Sequence, residues 1–367
     1  MSKNRKVTSF IKIFCILALA VLLGVSIKWF FNKDISDREY SPSVFSKIFH
    51  NGVPKSFDVD LVYLWCDGNE PAFLERKNYW LKQENKEPSI QAAADGRFEQ
   101  VEELRYSLRS VEKYLPWVRH IYIVTDRQVP SWLNTQHPKL SVVDHSDIIP
   151  SQYIPVFNSN AIESVLYKIP GLAEHFLYAN DDTFVNRPLT KDFFFQNGKP
   201  IVRMKYTKLN TESLYHLQLA NVIELSEKNF SSEIPFFSER NIVPHHNIDA
   251  YLKSDYAASA KHYEKEFQET LTHRFRKATS TQRLIVSIWS VMKKHAVVKI
   301  VESRNEKASG IDSLYIVNTK RNYEKMLSRM KPRLFCINDS EFSGPRDRKY
   351  MKEFLEKRFP KKSEFEL

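Results

Sequence analysis

Phe176-Leu177-Tyr178-Ala179-Asn180-Asp181-Asp182 is the stretch that decides the fold. An apolar run stops abruptly at two adjacent carboxylates. That is the pattern of a buried strand whose C-terminal end presents acidic side chains to a crevice. In open α/β sheets ligands bind at that end of the strands, and neighbouring carboxylates there can hold Mg²⁺ or Mn²⁺ against a diphosphate. Taken alone, the pair is better explained as an Asp-rich turn after a strand. The flanking segments reverse that preference.

Outward from this stretch, strands and helices alternate. Val59-Asp60-Leu61-Val62-Tyr63-Leu64-Trp65 is a strand candidate that ends at Cys66-Asp67-Gly68-Asn69. Val101, Leu104, Leu108, Val111 and Leu115 fall at helical spacing, and Pro116 stops that helix. Residues 120–125 and 140–143 are two further strands. Asn160-x-x-Glu163 resembles a capping box opening a helix over 161–168, which Pro170-Gly171 ends. Such alternation implies right-handed crossovers and a mainly parallel sheet. The expected fold is therefore an α/β core with Asp67, Asp126, Asp181 and Asp182 gathered at one sheet edge. Beyond residue 200 the pattern turns mainly helical (213–226, 256–271, 281–295), with a late strand over 333–337.

The chain has 367 residues, a net charge of +11 and only 8 glycines. It contains no Gly-x-Gly-x-x-Gly, no Gly-x-x-x-x-Gly-Lys-[Ser/Thr], no His-Glu-x-x-His and no Cys-x-x-Cys. Phosphates must then be held by metal and by Arg or His, not by a glycine cradle. The positive charge suits an anionic membrane, a phosphorylated substrate or a merely solvated surface. Nucleic acid is disfavoured, because neither zinc-finger spacing nor an RNA-binding strand pattern occurs. Cys15, Cys66 and Cys336 make no disulfide framework, and two buried thiols at 66 and 336 are preferred over a bridge.

Lys3, Arg5, Lys6 and Lys12 precede the apolar run 13–27, which Lys28-Trp29-Phe30-Phe31 follows. Residues 10–31 approach the ~20 needed to span a bilayer, and no small-residue cleavage site follows. A signal anchor is expected, with a cytosolic N-terminus; a helix lying on the membrane face is the alternative. The organisation expected is a cytosolic tip and anchor over 1–34, a linker over 35–57, a catalytic body over 58–345 and a basic C-terminal tail over 346–367. Within the body, 58–200 is the α/β core, 201–330 the helical part and 331–345 a closing strand and motif.

Several motifs together resemble a known family. Asp60-Leu-Val-Tyr-Leu-Trp-Cys-Asp-Gly68 resembles the first conserved region of the Stealth proteins. Residues 97–188 resemble the second, with Glu103-Leu-Arg-Tyr-Ser-Leu-Arg-Ser110, Phe157-Asn-Ser159, Ile169-Pro-Gly171 and Asn180-Asp-Asp182. Pro244-His-His246 through His273-Arg-Phe-Arg276 resembles the third, and Cys336-Ile-Asn-Asp339 the fourth. The family comprises bacterial capsule and exopolysaccharide phosphotransferases, the lysosomal-enzyme GlcNAc-1-phosphotransferase and fungal xylosylphosphotransferases. The resemblance implies a Rossmann-like, GT-A-like glycosyltransferase core and a divalent metal, Mg²⁺ or Mn²⁺. It also implies a nucleotide-sugar donor, usually UDP-linked, and a glycan or glycoprotein acceptor. Sugar and proximal phosphate move together to an acceptor hydroxyl, leaving a phosphodiester and a nucleoside monophosphate. Two positions depart from the family: Cys66 where valine is usual and Ala179 where phenylalanine is common. Neither removes a polar group the chemistry needs.

The resemblance also implies roles for individual residues. Asp181 and Asp182 contact metal, with Asn338 and Asp339 completing an oxygen shell. His246 is the general base or a donor to the transferring phosphate, preferred over His245. Arg276, and after it Arg274, grips phosphate oxygens. Asp67 holds nucleotide or sugar hydroxyls, and Asn180 joins the substrate-binding residues beside the acidic pair. Arg105 and Arg109, at i, i+4, bind phosphate or pair with Glu102 or Glu112. Asn158 and Ser159 open a helix that faces an anion or simply cap it. Two other functions compete: a metal-dependent glycosyltransferase that releases UDP, and a membrane-tethered glycan-binding protein with a dead site. The sugar, the acceptor and the side of the membrane stay open. A Golgi enzyme would be type II with a lumenal body; a bacterial one would be associated with the inner membrane.

Overall fold

The computed structural model describes residues 56–84, 101–210, 212–230, 242–301, 310–339 and 343–367. The expected anchor over 10–31 lies outside the described residues, as does the linker apart from Ser56 and Phe57. Among the described residues, no helix is long and apolar enough to cross a membrane.

The strands are β1 (Val59–Leu64), β2 (Ile121–Thr125), β3 (Leu140–Asp144), β4 (His175–Asn180), β5 (Thr183–Val185), β6 (Phe195–Gln196), β7 (Lys199–Tyr206), β8 (Ile242–Pro244), β9 (Asp249–Leu252), β10 (Val297–Ile300), β11 (Ser313–Val317) and β12 (Leu334–Asn338). The helices used below are α1 (Pro71–Gln83), α2 (Glu103–Tyr114), α3 (Ser159–Glu163), α4 (Leu214–Asn229), α5 (Lys253–His262), α6 (Glu264–Thr272), α7 (Leu284–Met292), α8 (Tyr323–Met330) and α9 (Pro345–Arg358).

The main sheet runs β3-β2-β1-β4-β9. Its first four strands are mutually parallel, and β9 closes the edge antiparallel to β4. Strands covered on both faces must be apolar almost throughout, and the side chains of β1 divide accordingly. Val62 packs with Phe176, Tyr178, Tyr256 and Ile285 on one face. Leu61 and Tyr63 pack with Leu104, Leu108, Leu177 and Ala179 on the other. The polar exception in β1, fully buried Asp60, is satisfied by Arg119 and by the backbone N–H of Ala173 at 2.7 Å.

The turn after β4 leads straight into β5, which pairs antiparallel with β12 in a second sheet ordered β11-β12-β5. Asp181 and Asp182 therefore occupy a corner where two sheets meet. The Ile337 N–H donates to the Asp182 carbonyl at 3.1 Å and fixes that corner.

Three local expectations are corrected. Helix α3 starts earlier than predicted, because Asn158 and not Asn160 caps it; the Asn158 side chain accepts the Asn160 N–H at 3.1 Å. A separate 3₁₀ turn then covers 166–168. The region beyond 200 carries the expected helices, as α4, α5, α6 and α7, but also strands the sequence does not suggest: β7 lies in a sheet β10-β7-β6, with β8 also paired to β7. Pro200 and Arg203 hide β7 in the sequence, yet Arg203 is buried against Asp312 at 2.9 Å, so the charge does not break the strand. Finally, the basic tail expected over 346–367 holds a helix, α9, that joins the core. Met351, Phe354, Leu355 and Phe359 are buried with Phe184, Tyr323 and Phe335.

Candidate active site

A cavity of about 560 Å³ opens where the parallel strands end. The end of β4 contributes Asn180, and the turn after it Asp181 and Asp182. Cys66 comes from the end of β1, Asp126 from the end of β2 and His145 from the end of β3. His246, Arg276, Arg283 and Asn338 close the other side. Of the assigned residues, His246, Arg276, Ser159, Asn180, Asp181, Asp182, Asn338 and Asp339 all line this one space.

Asp182 is the most constrained of them. Its Oδ2 accepts from the Cys336 thiol at 3.1 Å and from Asn338 Nδ2 at 3.3 Å. Its Oδ1 lies 3.6 Å from His246 Nε2. Burial acts to raise this carboxyl, but His246, Cys336 and Asn338 outweigh it and hold it below the usual range. His246 is also 3.4 Å from Asn180 Nδ2 and meets the Tyr315 ring edge-on. Tyr315 in turn donates to Asn338 Oδ1 at 2.8 Å. Imidazole and carboxylate are thus mounted on one connected frame.

The corner is rich in negative field. Burial first, and Asp181 next, push the Glu103 carboxyl and the Cys66 thiol well up from their ordinary values. Burial, then Asp182, does the same to the Cys336 thiol. A divalent cation would neutralise that field, and the oxygens of Asp181, Asp182 and Asn338 fit a hard cation. Asp182, His246 and Cys336 each bring a potential ligand atom within 4.8 Å of the others. The thiol, however, stays protonated and directs its proton at Asp182, so it is a weaker candidate than the oxygens. Asp339 accepts from Asn318 at 3.1 Å on one carboxylate oxygen and from Arg348 at 2.7 Å on the other, which anchors it at the cavity rim.

The two arginines of the cavity differ in kind. Arg283 bonds Asp249 at 3.0 Å and Glu163 at 3.3 Å, so its charge is already matched. Arg276 donates to the Ser159 hydroxyl, and among the described residues no carboxylate forms an ion pair with it. Its remaining N–H groups are available to an anion.

Other assigned residues are held elsewhere. Arg105 and Arg109 do not line the cavity; both reach Glu366, at 3.0 and 2.7 Å, and Arg105 also pairs with Glu102. Arg274 lies 3.8 Å over the Trp80 ring, outside the lining. Asp67 caps its own turn by accepting the Asn69 N–H at 2.9 Å. Asn158 is fully buried and ties α3 to the His273 carbonyl at 2.9 Å. His245 is buried beside the lining, with Nδ1 3.1 Å from the His246 carbonyl oxygen. Sequence reasoning misses Glu103, Glu163, Tyr178, Arg283 and Tyr315 in the lining. Glu103 opens the Glu-Leu-Arg-Tyr motif, but the arginines beside it draw the assignment.

Known proteins resemble this chain along most of its length. A family model described as Stealth protein CR2, conserved region 2, matches residues 97–202. The capsular polysaccharide phosphotransferase fcs1 of Haemophilus influenzae is 31% identical over 324 residues, which are 84% of this chain and 85% of that one. The capsular polysaccharide phosphotransferase LcbA of Neisseria meningitidis is 30% identical over 349 residues, 86% of this chain and 90% of that one. Among solved structures, the galactosyltransferase LgtC with donor and acceptor sugar analogs has a TM-score of 0.38 and 12% identity, covering 82% of this chain and 95% of that one. That likeness is too low to carry an argument. The sequence relatives span most of both chains, and on them this chain belongs to the Stealth family of phosphotransferases.

Proposed function

We propose that this chain moves a sugar-1-phosphate from a nucleotide-sugar donor, UDP-linked by family resemblance, to a hydroxyl of a glycan acceptor. The products are a phosphodiester and a nucleoside monophosphate. The observation that supports this most is Arg276, a guanidinium in the cavity wall without a carboxylate partner among the described residues. Attack at phosphorus builds charge on the equatorial oxygens, and a planar donor fork is suited to it. His246 takes the proton of the acceptor hydroxyl, and Asp182 beside it stabilises the imidazolium that forms. Asp181 and Asp182, with Asn338, would hold Mg²⁺ or Mn²⁺. That ion would supply neutralisation of the donor's diphosphate. The parallel sheet with its acidic corner supports a GT-A-like core, and residues 10–31 are proposed to anchor the body to a membrane.

The test is the leaving group. Purified protein, a UDP-sugar, a divalent metal and an acceptor glycan should release UMP and give a product with one ³¹P phosphodiester resonance per sugar transferred. Stoichiometric UDP with a phosphorus-free product would replace this reading with glycosyl transfer. Undiminished activity in excess chelator would remove the metal from it.

A further inference from the structure

The strand order β3-β2-β1-β4-β9 puts His145, which follows β3, at the far edge from His246, which precedes β9. Neighbouring strands are about 4.8 Å apart, so three steps carry the cavity on the order of 14 Å from the end of β3 to the acidic corner after β4. That is the span of a nucleoside with its phosphates, not of a sugar ring.

The lining is mixed in chemistry. Besides the polar, charged acidic corner it includes Trp65, Phe73, Val156 and Phe157. Phe73 meets Phe157 edge-on at 5.5 Å, and Phe157 stacks on Phe275 at 5.2 Å, so these rings are held rigidly. Flat apolar walls of this kind suit a heteroaromatic base. His145 lines the same space at 4% exposure, and its Nδ1 is buried without a hydrogen-bond partner. The residue is fixed in place because Asp144 caps the turn that follows β3, accepting the Ser146 N–H at 2.9 Å, while Asp147 accepts the Asp144 N–H at 2.9 Å. Burial pushes His145 down to about 4, against the pull of Asp126 and Asp144. A neutral ring offers one donor and one acceptor. The two ring nitrogens point away from each other, so Nδ1 alone can meet one donor or acceptor on a pyrimidine edge, and a buried polar atom left unmatched is costly enough that native structures rarely keep one.

We infer that this end of the cavity is the nucleobase subsite and that His145 reads the edge of a pyrimidine. The inference rests on the proposed nucleotide-sugar donor and adds where its base lies and which side chain selects it. Asp126 also lines the cavity, but Arg76 at 3.1 Å and Arg127 at 3.2 Å already occupy it, and Asn160 sits on α3 rather than at the end of a sheet strand. His145, with Nδ1 unpartnered at the end of β3, is the side chain assigned to selection.

The experiment measures binding of UDP and of inorganic diphosphate to the full chain by calorimetry, for wild type, His145→Ala and His145→Gln. Loss of one hydrogen bond should weaken UDP about 10-fold in the alanine variant. Inorganic diphosphate, which has no base, should bind as in wild type. Donor KM should rise by the same factor as the UDP affinity falls, with kcat held within about twofold. Glutamine, which also carries a donor and an acceptor, should restore part of the loss. Unchanged UDP affinity in a folded His145→Ala protein overturns the inference, as does equal weakening of UDP and diphosphate. If the alanine variant fails to fold, the ratio of UDP to diphosphate affinity in the glutamine variant decides in the same sense. The outcome is separable from the reaction type. A wild type that releases UDP in turnover but still needs His145 to bind it would sink phosphoryl transfer and keep this subsite.

Discussion

The Cys336 thiol donates a hydrogen bond to Asp182 Oδ2 at 3.1 Å, across the junction of the two sheets. Cys336 sits on β12 and Asp182 follows β4, so this bond aims the carboxylate from the neighbouring sheet. Burial, reinforced by Asp182 itself, keeps the thiol protonated and hence a donor.

Cys336 should therefore be inert. In the folded protein neither Cys66 nor Cys336 should react with iodoacetamide at neutral pH, because burial raises both thiols far from the thiolate form. Mass spectrometry of alkylated protein, before and after denaturation, checks this. Cys336→Ser keeps a donor toward Asp182 and should hold kcat within a few-fold. Cys336→Ala removes it and should lower kcat roughly 10-fold. Rapid labelling of Cys336 in native protein would contradict the assignment.

Glu366 ties the C-terminal segment to α2 through Arg105 and Arg109. Burial acts to raise its carboxyl, but the Arg109 hydrogen bond and the Ser363 N–H outweigh it, leaving the folded pKa below the ordinary value. A group with a depressed folded pKa contributes stability above its unfolded pKa and loses it as pH falls through the folded one. The stabilisation should thus be full at neutral pH and fade in the acid range below about 4.5. Glu366→Gln should cost about 2 kcal/mol at pH 7, less than a fully buried pair because both guanidinia reach solvent. The cost should shrink on acidification. Urea unfolding at pH 7 and near pH 3.5 measures both; a cost independent of pH would mean that packing, not charge, holds the segment.

How much of this can be read from the chain follows from where the forces act. Strands β1 to β4 are legible because burial on both faces makes them continuous apolar runs, and the acidic corner is legible because it ends one of them. Strand β7 is not, since its buried Arg203 looks like a surface residue until Asp312, far along the chain, is seen beside it. The same limit applies in α2. Glu103 lines the cavity, and Arg105, two residues on, points roughly 200° away around the helix. The motif is recognisable, but which of its faces meets the cavity depends on packing that no local spacing encodes. Glu163 and Arg283 escape for a similar reason: each alone looks like a surface charge, and only their mutual burial makes them part of the wall.

The two adjacent histidines should separate cleanly. His246 lies in the cavity 3.6 Å from Asp182, whereas His245 is buried outside the lining, where its carbonyl accepts from Asn247 at 2.7 Å. His246→Ala should lower kcat by about 10²-fold with unfolding unchanged, as removal of a general base does. His245→Ala should lower thermal stability and leave kcat near wild type in whatever protein folds. Steady-state kinetics with thermal melts on both variants decides, and the reverse pattern would move the base to His245.

Arg276 and Arg283 share one cavity and should fail in opposite ways. Arg283, largely withdrawn from solvent, lies between Glu163 and Asp249, so Arg283→Ala leaves two carboxylates uncompensated in the cavity wall. Breaking such a pair costs about 3–5 kcal/mol, and the variant should unfold well below wild type. Arg276 binds the neutral Ser159 hydroxyl, and no carboxylate among the described residues loses its partner when it goes. Arg276→Ala should therefore melt close to wild type. If Arg276 steadies the equatorial oxygens of the transferring phosphoryl group, its loss removes an interaction made strongest in the transition state. The expected fall in kcat is about 10²–10³-fold, the magnitude seen when a charge-stabilising donor is deleted. Arg276→Lys, a point charge without the planar fork, should recover only part of it. Melting temperatures and kcat measured on the same variants separate the two roles: an Arg276→Ala protein with normal turnover would take the phosphate grip away from this residue.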